Sequence, residues 1–140
     1  MGEEDRNADS GDTTVKSAVI TKAARKKLVM ARAGDITLPR VAGMAFGDGG
    51  IDSNGEVIAP IEGQDTLSHE LYRKAVDRHS FPEETTCRYE CTLSDWELAG
   101  EVISEVGLYD EEGDILCIRT FLGKGKDGDV EQTYVLDDVF

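Results

Sequence analysis

The sequence predicts an α+β domain in which one long N-terminal helix packs on an antiparallel β-sheet or sandwich of about five or six strands. Two observations lead there. Residues 15–33 (VKSAVITKAARKKLVMARA) place apolar side chains at 15, 18, 19, 23, 24, 28 and 31, close to the spacing of one helical face. From Ile36 onward the texture changes to short alternating apolar runs punctuated by Gly and Asp, the pattern of strands joined by hairpins. With 140 residues, 39% of them hydrophobic, the chain has material for one ordinary core. Residues 1–13 are predicted to be an acidic disordered tail, because they hold few apolar side chains, and residues 14–140 to be the domain.

Each element has a local reason. Thr13 or Thr14 is the predicted N-cap of the helix and Gly34 its terminator, while Arg25, Lys26, Lys27 and Arg32 sit toward its C-terminal half, where the helix dipole favours cations. Ile36–Phe46 reads as a strand, with Pro39 confining its first half to an edge or a bend. The following 47–65 segment has five glycines and few large apolar residues, which predicts a long irregular loop of the kind that is often functional. Thr66–Arg73 is read as a helical turn centred on Glu70, Leu71 and Tyr72. Thr85–Leu93 alternates cleanly, with Cys87, Tyr89, Cys91 and Leu93 on the apolar face. Glu101–Tyr109 and Asp114–Leu122 form a hairpin about Asp110–Gly113, and Glu131–Phe140 supplies a last strand.

Charge and motif content narrow the function. The net charge of −14 excludes a general nucleic-acid binder, which needs positive surface. No apolar stretch approaches the roughly 20 residues that cross a bilayer, so no membrane insertion is expected. The charge is uneven: residues 1–14 sum to −4, residues 15–46 to +6 and residues 47–140 to −16. Cys87 and Cys91 stand roughly 13 Å apart on a strand, too far for a disulfide or a shared zinc, and read as small buried hydrophobes. The Asp48–Glu56 loop offers Gly50 and Ile61 where a calcium loop needs its first and last ligands. Gly47–Gly50 lacks the lysine and helix of a phosphate loop, and no nucleophile elbow occurs. The prediction is therefore a non-enzymatic protein with no catalytic, cofactor-binding or metal-ligating residues and no cofactor.

Several segments stand in a telling order. After the helix come Phe46-Gly47-Asp48-Gly49-Gly50, then Thr66-Leu67 with Glu70-Leu71-Tyr72-Arg73, then the hairpin Ile103 to Leu116 with Glu105, Gly107-Leu108-Tyr109-Asp110 and Gly113. From about Ile20 to Phe140 this order resembles the N-terminal domain of phage tail-collar fibre proteins, although Ala23-Ala24 stands where that family often has glycine. The resemblance implies a structural virion protein: a tail-fibre attachment, adaptor or baseplate component of a phage or phage-like contractile particle, made in the bacterial cytoplasm and resident in the tail. Its implied partners are baseplate or fibre proteins, and its implied assembly is a homo-oligomer such as a trimer. The residues expected to meet a partner are Arg25, Lys26 and Lys27 on the helix, Gly47, Asp48, Gly49 and Gly50 in the loop, and Glu105, Gly107 and Tyr109 on the hairpin. Gly47, Gly49 and Gly50 are expected to supply positive φ as the chain leaves its strand, and Gly107 to admit a close backbone. Glu105 is expected to be a solvated acid or part of a docking edge. The alternative function is a small acidic cytosolic adaptor or inhibitor that mimics a polyanion.

Overall fold

The computed structural model of the protein describes residues 18–140. The domain is mostly β, which corrects the expected α+β class with a long N-terminal helix. Among the described residues, β1 (Val19–Ile20) precedes helix α1 (Lys22–Arg32); then follow β2 (Val41–Gly47), β3 (Glu70–Ala75), β4 (Arg78–Glu83), β5 (Thr86–Leu93), β6 (Val102–Asp110), β7 (Ile115–Gly125) and β8 (Gln132–Val139). The strands form a five-stranded antiparallel sheet in the order β1-β7-β6-β2-β3 and a three-stranded one in the order β4-β5-β8.

The predicted helix is cut short by its own β-branched residues. Val19 and Ile20 pair with Ile118 and Cys117 of β7, as strand residues should. Thr21, fully buried, is the N-cap: its hydroxyl accepts from the Ala24 amide at 3.1 Å and donates to the Ile115 carbonyl at 2.7 Å, fixing the helix start on the sheet. The predicted caps Thr13 and Thr14, the first residues of the predicted helix and the acidic tail lie outside the described residues. At the other end Gly34 (φ 85°) does terminate the helix. Its amide donates to Ala31 and that of Asp35 to Met30, the paired bonds of a Schellman motif.

Thr66–Arg73 is a second correction. A helical turn was expected there, but β3 alternates: Tyr72 packs against the core between the sheets while Arg73 lies over the Tyr109 ring, 4.5 Å from its centroid. β4 carries no period, because all six of its residues are exposed and it pairs only with β5.

Two cores result. Met44, Phe46, Leu93, Val106, Leu108 and Leu136, with their neighbours, fill the space between the sheets. On the outer face of the larger sheet Leu67 packs with Ala45, Ile115 and Ile118, so the long 48–68 connection is folded down as a cover. The cysteines are free, and burial pushes the Cys91 and Cys117 thiols up to about 12, as expected of inert core residues.

A polar tether joins the β3 strand to the 94–97 turn. Lys74 Nζ lies 2.7 Å from Glu97, the Tyr72 hydroxyl donates to the same carboxylate, and the Ser94 amide does so at 2.8 Å. Burial alone would raise the Glu97 pKa; these donors outweigh it and hold the carboxyl at about 2. A folded-state pKa below the unfolded value stabilises above the unfolded pKa and is lost as pH falls through the folded one. Glu97 should therefore contribute on the order of 3 kcal/mol at neutral pH, lost between about pH 5 and pH 2. Urea denaturation of wild type and Glu97→Gln should show a gap of that order at pH 7 that narrows as pH falls to 3.

Candidate partner-binding site

The site begins with a buried charge. Glu105, in the middle of β6, is fully buried, and its carboxylate faces the 48–68 cover. It accepts the amides of Gly49, Ser68 and His69, each at 2.8 Å. These come from the two ends of the long loop, so one side chain clamps both. Next to it, the Ser104 hydroxyl accepts the Gly50 amide at 2.8 Å.

This clamp explains the glycines, and not as expected. Positive φ is adopted by Gly34, Gly55, Gly63, Gly100 and Gly113, but not by Gly47, Gly49 or Gly50. What those three need is absence of a side chain. A Cβ on Gly50 would run into the Ser104 carbonyl, one on Gly47 into the His69 carbonyl, and one on Gly49 would lie 2.6 Å from the Ser68 Cβ. Asp48 turns outward, and its carboxylate meets His69 Nδ1 at 2.5 Å, raising the imidazole pKa above its usual value.

Glu105 and Gly107 are thus interior. β6 is the central strand of its sheet rather than an edge. The backbone that approaches Gly107 closely is the chain's own: a Cβ there would come within 2.8 Å of the Cys117 carbonyl. Tyr109 is half-buried, its ring lying across Gly43 on β2, where it fills the space a side chain would need. Arg73 covers the exposed side of that ring, forks onto Glu70 at 2.6 and 2.9 Å, and reaches the Gly113 carbonyl at 3.1 Å.

The hairpin turn is fastened to the helix. Asp110 Oδ1 accepts the amides of Glu112 and Asp114, shaping the turn, and Gly113 (φ 91°) closes it. Asp110, Glu112 and Asp114 bring their carboxylates within 4.8 Å of one another, a geometry that would suit a metal ion. The cation among them is Lys27, whose Nζ lies 2.6, 2.9 and 2.8 Å from the three groups. Burial of Lys27 works against its charge, and the three carboxylates outweigh it, so the ammonium is held well above the usual lysine range.

With Lys27 turned inward, Lys22, Arg25, Lys26 and Arg32 remain exposed at helical spacing, with Val29, 68% exposed, among them. Arg25 touches Glu62 at 3.9 Å, which places the cover loop beside this stripe, and the loop presents exposed Val57, Ile58 and Ile61. The outward surface is therefore basic around apolar residues. Sequence reading singled out Arg25 and Lys26 but missed Val29, Ile58 and Ile61. The one usable signal was Val29 falling off the apolar helical stripe.

The domain is thus a two-sheet β fold whose glycines, carboxylates and arginine brace one corner, with a basic helix and apolar loop tips turned outward. The family described as phage tail-collar fibre protein, N-terminal, matches residues 15–132, and the chain belongs to it. The resemblance read from the ordered motifs is borne out. The chain is accordingly a structural protein of the phage tail, located in the tail of the virion and working with other tail proteins, a role that implies no enzymatic activity. No curated protein matches the sequence.

The clamp yields a stability prediction. Glu105→Gln turns an acceptor into a donor aimed at backbone amides and should cost roughly 2–3 kcal/mol. Hydrogen exchange should quicken at Gly49, Ser68 and His69 while the amides of β5 and β8 keep their protection.

Proposed function

We propose that this domain is the attachment part of a tail fibre, or a baseplate component, of a phage or phage-like contractile particle, and that it acts by protein contact. The observation that carries this reading is the outward stripe of Lys22, Arg25, Lys26 and Arg32 around Val29, on a chain whose remaining surface is strongly acidic. A basic face on an acidic body steers docking toward an acidic neighbour and fixes its orientation. Val29 and the adjoining Ile58 and Ile61 supply the apolar area that such a contact desolvates.

Several copies ranked around a tail axis fit the same polarity, since the basic face of one copy complements the acidic body of the next. A homotrimer is the proposed assembly. The identity of the helix residues supports it: within the helix, Lys27 serves the fold, whereas Arg25 and Lys26 spend little on it. Lys26 has no ion-pair partner among the described residues, and Arg25 has only the long contact to Glu62 and a bond to the Ile20 carbonyl.

The test is binding to the baseplate and fibre proteins of the same particle. Arg25→Glu with Lys26→Glu should weaken the wild-type complex about tenfold or more at physiological salt, with an unchanged melting temperature. Light scattering should give a trimer mass for the wild type. Undiminished binding by the double variant, or a strict monomer with no affinity for any tail protein, would sink the reading.

A further inference from the structure

A cleft of about 570 Å³ opens between helix α1, the 38–41 segment and the end of the smaller sheet. Its walls are largely apolar, with Ile20, Leu28, Leu38, Val41 and Leu116 among them, and its size lies in the roughly 300–1,000 Å³ range in which proteins bury compact groups. At one side stands Asp138, on β8.

Asp138 is out of keeping with the other carboxylates of this domain. It shares a strand face with Tyr134 and Leu136, both core residues, so it occupies an inward-facing position at the rim of the sandwich. Every comparable acid has donors. Glu105 has three backbone amides, Asp110 has Lys27, Glu97 has Lys74 and Tyr72, and Asp137 next door has Arg88 at 2.8 Å. Asp138 has no hydrogen-bond or ion-pair partner among the described residues, and burial raises its pKa with no cation to offset the effect. The cations that line the cleft are already engaged, Lys27 with its three carboxylates and Arg40 with Glu111 at 3.1 Å. His79 meets Phe81 edge-on and Tyr89 at a tilt.

Asp138 is part-buried and its carboxylate opens into the cleft, so it is available to a cation arriving from outside the fold, in surroundings whose apolar walls strengthen that attraction. We propose that this cleft receives a basic side chain, flanked by apolar residues, from an extended segment of a partner tail protein, with Asp138 as the anionic anchor. Charge complementarity selects the cation, because the cleft holds one unanswered negative charge. The apolar walls select its neighbours. The site is separate from the basic helix stripe, so one domain would present a cationic face and an anionic socket to different partners or to different parts of one. The identity of the partner as a tail protein rests on the function proposed above; the socket does not.

Two measurements test it. The first uses a probe independent of any tail protein, acetyl-Leu-Arg-Phe-amide, against its norleucine counterpart, followed by NMR titration of the wild-type protein. The arginine peptide should give saturable shifts at Tyr89, Leu116 and Asp138, the norleucine peptide should bind at least tenfold more weakly, and Asp138→Asn should abolish the difference. No saturable shift at these residues, or equal binding by Asp138→Asn, overturns the proposal. The second measurement is stability: Asp138→Asn should melt at the wild-type temperature or above. A clear drop would reveal an internal partner for the carboxylate and equally overturn the socket. In parallel, a tail partner that binds wild type and Asp138→Asn alike would defeat the socket and leave the attachment role standing. Peptide binding without affinity for any tail protein would do the reverse.

Discussion

A carboxylate taken out of water loses several kcal/mol of solvation, and the fold can keep it only by surrounding it with donors. Glu105 is answered by three main-chain amides, and this requirement organises the rest of the domain. The amides must come from backbone, because backbone can be placed rigidly at 2.8 Å. Backbone can come that close only if its side chains are absent or turned away. Hence Gly47, Gly49 and Gly50 with Asp48 facing out, and hence also Ser68 and His69 arriving from the far end of the loop. The loop's own length then follows, since it must leave β2, cross the sheet face, deposit Leu67 in the outer core and return to begin β3.

The same corner is reinforced by charge on its far side. Arg73 reaches from β3 to the Tyr109 ring and the Gly113 carbonyl, and Lys27 reaches from the helix into the hairpin turn. Four sequence segments that look unrelated in line, the helix, the glycine turn, the Glu70–Arg73 segment and the acidic hairpin, are thereby one cross-braced unit. This is why their order in the chain was informative when no single one of them was. It also separates two populations of charged residue: those that brace the corner, and those on the helix exterior that stay exposed.

How much of this could be read in the chain depended on whether a residue's role was local. The alternation of β5 and β8 and the hairpin of β6 and β7 were legible, because a half-buried strand writes its period directly into the sequence. The end of the helix at Gly34 was legible for the same reason. Its beginning was not: Val19 sits on the helical spacing, and only pairing with the distant β7 makes Val19 and Ile20 a strand. Thr66–Arg73 was misread as one helical turn because it belongs to two structures, Leu67 to the loop core and Glu70 onward to a strand. β4 gave no signal at all, being exposed on every residue. Of the candidate contact residues, Arg25 and Lys26 are exposed as their charge suggested, but Glu105 and Lys27 were indistinguishable from surface residues, since a buried ion is recognised only by partners distant in sequence.

That distance has a consequence for how the chain folds. The β6–β7 hairpin is local and can form early, whereas the Glu105 bonds span 36 to 56 residues and the bond from Lys27 to Asp110 spans 83. Closing such loops precedes any reward from the contacts they make, which slows folding relative to helical proteins of this size. The corner therefore depends on long-range closure, whereas the hairpin depends on residues close in sequence. The glycine-rich loop is held only through such distant contacts, so its geometry is complete only in the finished fold.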